Sequence, residues 1–101
     1  MVKEVTAEDI QAIAREMQHI RSQIQTVSSQ ISEYGVTIDA LENQDPDRPV
    51  YRSFGNILLE VEDMDSLSEG IKESKEALES HLNRLAERES ELRKEYERLA
   101  E

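Results

Sequence analysis

From Ile10 onward, apolar side chains recur at Ile13, Met17, Ile20, Ile24, Val27, Ile31, Tyr34, Ile38 and Leu41, an unbroken alternation of three- and four-residue steps. A repeat averaging 3.5 residues stays on one face only if the helix supercoils left-handedly around a partner, so the pattern predicts a coiled-coil strand over about 6–44. Its start is written locally. Thr6 and Asp9 stand at capping-box spacing, and Val5 and Ile10 occupy the two positions of a hydrophobic staple. Asp45-Pro46 sets its end, because the residue before proline is pushed out of the helical region. Gly35 lies beside the stripe, and its penalty of about 1 kcal/mol relative to Ala is too small to override so regular a pattern.

A second series, Ile71, Leu78, Leu85, Leu92 and Leu99, steps by seven and predicts a helix over about 65–101. Leu67, Leu82 and Tyr96 form a thinner companion stripe, while Ser74, Lys75, His81, Arg88 and Glu89 fill the flanking positions, so this helix offers a narrower seam. Ser66 and Glu69 have capping-box spacing at its start. Glu89 with Arg93 and Lys72 with Glu76 have i,i+4 spacing, worth a few tenths of a kcal/mol each on an exposed face.

Between the helices the period shortens to two. A linker at 45–49 leads into a β-hairpin over 50–61, in which Gly55-Asn56 supplies the positive φ angles of a two-residue turn. With that turn, Val50, Arg52, Phe54, Ile57, Leu59 and Val61 share one face, and Tyr51, Ser53, Leu58 and Glu60 share the other. Helices of nearly equal length fold back antiparallel, which puts the hairpin at the bend and both termini at the far end. The predicted architecture is one mainly α domain spanning 1–101: a long antiparallel helical coiled-coil hairpin with one central β-hairpin. A lone two-stranded hairpin with an apolar face and two unpaired edges is marginal in water. It is therefore expected to oligomerise into a β-barrel with other hairpins.

Composition narrows the chemistry. The 101 residues are 37% hydrophobic and 35% charged, with one Phe, three Tyr and no Trp, which suits an elongated helical chain better than a compact core. The net charge of -11 repels phosphate backbones and anionic headgroups, so neither nucleic acid nor membrane is expected as a partner. No Cys is present, which leaves no disulfide frame or thiolate site and fits a reducing interior. The opening Met1-Val-Lys-Glu-Val-Thr lacks the apolar stretch of a signal peptide, and a cytoplasmic location is expected. His19 and His81 have no ligand spacing, the serines have no partnered base, the Glu60 and Glu62 pair sits in strand or loop, and the three glycines form no phosphate loop. No catalytic residue, metal or cofactor is expected. The balance of 17 Glu, 6 Asp, 8 Arg and 4 Lys resembles adaptation to a salty cytoplasm, and equally an ordinary Glu-rich coiled-coil surface.

In order and at this spacing, Ile38-Asp-Ala-Leu-Glu, Asp45-Pro-Asp, Val50-Tyr-Arg, Gly55 and Ile57-Leu-Leu-Glu-Val61 resemble the acidic linker and central hairpin of the prefoldin family. Lys75-Glu-Ala-Leu-Glu with Leu82 and Leu85 is similar to the start of that family's second helix. A single hairpin resembles the beta class, of archaeal type, more than the alpha class. The resemblance implies an ATP-independent chaperone subunit in a hexamer of two alpha-class and four beta-class subunits, with hairpins forming the body and coiled coils forming tentacles. It also implies that apolar tips hold unfolded polypeptides for transfer to a group II chaperonin. By position, the client-binding tip residues are Val2, Val5, Ile10, Ile13, Leu92, Tyr96 and Leu99. The assembly residues are Val50, Phe54, Ile57, Leu59 and Val61. The competing expectation is a structural coiled-coil tether or adaptor, whose heptads pair with another protein and whose hairpin adds a strand to its sheet.

Overall fold

In the computed structural model of the chain, which describes residues 5–100, helix α1 (Ala7–Glu42) runs into strands β1 (Tyr51–Phe54) and β2 (Ile57–Glu60), followed by helix α2 (Met64–Ala100). The two helices pack antiparallel along their length, and the molecule measures 70 × 25 × 18 Å. All ten positions of the first heptad stripe, from Ile10 to Leu41, are buried or half-buried, so the stripe is the seam between the helices. On α2, Ile71, Leu78, Leu85 and Leu99 are half-buried and Leu92 is buried, as a narrower seam requires.

Both helix starts are capped. Thr6 Oγ1 accepts from the Asp9 amide at 3.2 Å while Asp9 accepts from the Thr6 amide at 2.9 Å, the reciprocal pair that its spacing predicts. The cap of α2 is not the Ser66–Glu69 pair. Asp63 precedes the first helical residue and accepts from both the amide of Ser66 at 3.0 Å and its hydroxyl at 2.9 Å. A carboxylate offers two acceptor oxygens and a negative charge at the positive end of the helix, so Asp63 caps and Ser66 donates. These bonds, the Ser66 amide first, hold the Asp63 carboxyl below its ordinary value.

Helix α1 ends at Glu42, and Asn43 closes it by donating its side-chain amide to the Asp39 carbonyl at 2.9 Å. Asp45 then opens a turn. Its carbonyl accepts from the Arg48 amide at 3.0 Å and its side chain from the Asp47 amide at 2.9 Å, with Pro46 presetting φ between them.

The hairpin register pairs Tyr51 with Glu60, Arg52 with Leu59, Ser53 with Leu58 and Phe54 with Ile57, and the Val61 amide donates to the Val50 carbonyl at 2.8 Å. The two-residue turn and both face assignments follow. Of the two turn residues Gly55 takes a positive φ, 59°, and Asn56 does not, so one residue rather than two supplies the left-handed step. A two-residue hairpin turn of the type with glycine at its first central position needs no more.

The ion pairs that join the helices differ from the i,i+4 expectations. Glu89 pairs with Arg21 of α1 at 2.9 Å rather than with Arg93, and Lys72 with Glu42 at 3.6 Å rather than with Glu76. Arg88 reaches Glu16 at 3.0 Å. These side chains flank the apolar seam, where a coiled coil places its interhelical charges, and an antiparallel partner lies within their reach.

Candidate functional site

The features able to engage other molecules sit at opposite ends of the 70 Å rod. At the bend, every residue from Tyr51 to Glu60 is exposed. Phe54, Ile57 and Leu59 stand on the face assigned to them, all more than half exposed, with Ile57 at 60%. Val50 and Val61, nearest the helices, are half-buried. The first face is not detached from the helices: Arg52, Phe54, Leu59 and Val61 line a groove whose opposite wall is Ser66 and Leu67 at the start of α2. The Arg52 guanidinium lies 5.3 Å from the centre of the Phe54 ring, so its charge is engaged with an aromatic face.

Tyr51 and Leu58 are exposed on the other face, where the period of two places them, Leu58 at 66%. The hairpin therefore presents apolar side chains on both sides, and among the described residues the outer edge of each strand is unpaired. Unpaired edges offer backbone donors and acceptors to an added strand, and the exposed side chains supply apolar area for it to cover. The signal was the run Ile57-Leu-Leu, in which three consecutive apolar residues cannot all face one way.

The distal end is arranged differently from the expectation. Leu92 is the most buried side chain described, at 1% exposure, and joins Met17 and Ile20 in a cluster against which Ile13 and Tyr96 pack. Leu92 is thus core and not free surface: its heptad position points it into α1, and burial against Met17 and Ile20 outweighs its nearness to the tip. Ile10 and Leu99 are half-buried and Val5 is 37% exposed, which leaves these three as apolar surface at the distal end. Val2 lies outside the described residues.

Among the described residues no helix is long and apolar enough to cross a membrane, and no group of three or more His, Cys, Asp or Glu side chains could hold a metal ion. His19 and His81 are both exposed, on different helices.

This architecture has known counterparts. A crystal structure of the prefoldin beta subunit from Thermococcus strain KS-1 superposes with a TM-score of 0.81 at 22% identity, covering 98% of this chain and 91% of that one. In sequence, the prefoldin subunit beta of Pyrobaculum calidifontis is 29% identical over 99 residues, covering 91% of this chain and 78% of its own length. That of Pyrobaculum islandicum is 29% identical over 89 residues, covering 88% and 70%. The family model described as prefoldin subunit matches residues 5–101. The chain belongs to the prefoldin subunit family, and the relatives it matches are of the beta class.

Proposed function

We propose that this chain is a subunit of an ATP-independent chaperone that assembles through its β-hairpin and captures unfolded polypeptide at the distal end of its coiled coil. Its partners are an alpha-class prefoldin subunit and further copies of the beta class in a cytoplasmic hexamer, with handover of the held polypeptide to a group II chaperonin. The observation that carries this reading is a hairpin exposed from Tyr51 to Glu60, apolar on both faces, at one end of a rod whose own seam is closed. Closing several hairpins into one barrel buries those faces and removes the edges. Each rod then projects a tip bearing Val5, Ile10 and Leu99. One tip binds weakly, and several around one client raise the affinity by linking weak sites.

The deep burial of Leu92 supports the tether as a second reading, since it leaves less apolar area at the tip. One experiment separates the two. The assembled protein with Val5→Ser and Leu99→Ser should keep its mass and lose part of its ability to suppress light scattering by a denatured client. Leu92 is left intact because its replacement would open the seam. Phe54→Asp with Ile57→Asp should instead reduce the assembly to smaller species, because charge cannot be buried unpaired in a barrel. Full protection by the tip variant would mean that capture occurs elsewhere on the assembly, and no suppression by the natural protein, with one tight partner instead, would favour the tether.

A further inference from the structure

The net charge of -11 is not spread along the rod. Between Asp39 and Glu69 there are nine carboxylates, all exposed, against only Arg48 and Arg52, so this segment at the hairpin end holds -7 of the total. Over the distal residues 7–22 and 81–100, seven basic side chains meet eight acidic ones, close to neutrality. The helix dipoles do not alter this, since the negative end of α1 and the positive end of α2 both lie at the bend. The local cations do little to offset this. Arg52 is stacked on Phe54, and the 3.6 Å Lys72–Glu42 pair is open to solvent.

We infer that charge selects the neighbour of the hairpin: it is a polypeptide that adds a strand to the exposed edge and is net positive around its own strands, and a second copy of this chain is disfavoured at low ionic strength. This rests on the hairpin being the assembly surface. Shape and apolar area alone would let two copies pair, because both edges and both faces are open. Charge opposes that pairing. The screening length is about 30 Å at 0.01 M salt, wider than the 25 × 18 Å cross-section, so the hairpin end of each copy acts as one body of charge -7. At about 1 M it shrinks to roughly 3 Å, and the repulsion is lost while apolar contact remains. Complementary charge speeds encounter and rejects wrong partners more than it adds raw affinity, which is the effect needed to order unlike subunits around a ring.

The test uses the chain as its own designed partner. A copy with Asp47→Lys, Glu60→Lys, Glu62→Lys and Glu69→Lys changes the hairpin end from -7 to +1, and none of these four side chains makes a described hydrogen bond or ion pair. In sedimentation at about 0.02 M salt, the natural chain alone should be a single chain and an equimolar mixture with the Lys copy should assemble; at about 1 M the natural chain alone should associate at least tenfold more tightly. Equal association of the natural chain at both salts overturns the inference. So does a mixture that stays dissociated at low salt.

If the Lys copy does not fold, the milder Asp47→Asn, Glu60→Gln, Glu62→Gln, Glu69→Gln chain decides. Alone at low salt it should associate at least tenfold more tightly than the natural chain, and unchanged association overturns the inference. Placing Phe54→Ser and Ile57→Ser in both members of the mixture, which leaves the hairpin ends at -7 and +1, separates the two readings. Assembly that survives those changes means that charge attracts the chains but the hairpin is not where they meet.

Discussion

Gly55 sits at φ 59°, a conformation in which an L side chain crowds the following carbonyl, and a Cβ there would otherwise meet open space. Gly55→Ala should therefore weaken the hairpin by about 1–2 kcal/mol through backbone strain alone. Faster exchange of the Val61 amide, bonded to the Val50 carbonyl, would report it. Gly35 is the opposite case. It is helical, and a Cβ added there meets only the movable Nζ of Lys75 at 4.0 Å. Gly35→Ala should raise stability by about 0.5–1 kcal/mol, read as a higher urea midpoint with an unchanged slope. At Asp63, bonds from Ser66 lower the folded-state pKa below the unfolded value of 3.8. Its contribution is complete above that unfolded value and is lost as pH falls through the folded one. Protection of the Ser66 amide, its exchange compared with an unstructured amide at the same pH, should fall on acidification through that window, and Asp63→Asn, which can still accept but cannot titrate there, should flatten the dependence. The Thr6 cap was legible because its motif is reciprocal and local. The Asp63 cap was missed because Ser66–Glu69 also has the right spacing, and which residue leads depends on where the chain leaves the hairpin.

Elements divide the apolar residues by task. Leu92 and Leu59 have the same side chain, but one is at 1% exposure in the seam and the other stands more than half exposed on the hairpin. Leu92→Ala should cost about 2–5 kcal/mol of the single chain's unfolding free energy. Leu59→Ala should cost less than about 0.5 kcal/mol there, and should instead lower the mass of the assembly. Denaturant unfolding with sedimentation of both variants measures the contrast, and equal losses in the two would show that the hairpin is part of the monomer's core. The heptads made both helices legible because the same spacing that defines the stripe defines the buried face. Periodicity could not rank Leu92 above its heptad mates Leu85 and Leu99. That rank comes from Met17 and Ile20, which approach across the seam from α1.

For the whole molecule, carboxylate repulsion concentrated near the bend opposes packing of α1 on α2 there, while cross-helix pairs such as Arg21–Glu89 and Arg88–Glu16 favour it at the other end. Added salt screens both, but the net charge of -11 makes relief of repulsion the larger effect. The helical melting temperature should rise between about 0.1 and 1 M salt, measured at a dilution where sedimentation finds a single chain. A flat or falling trend would remove the case for adaptation to salt. Two amphipathic helices, their antiparallel return and the hairpin register were all readable from the linear chain, because period, turn length and caps are local quantities that translate directly into faces and ends. Two matters lay outside that reach. Partners for Glu89 and Lys72 came from the opposite helix, and the first place in the core fell to Leu92. Each depends on which residues the fold brings together from distant parts of the chain, and spacing along the chain carries no such information.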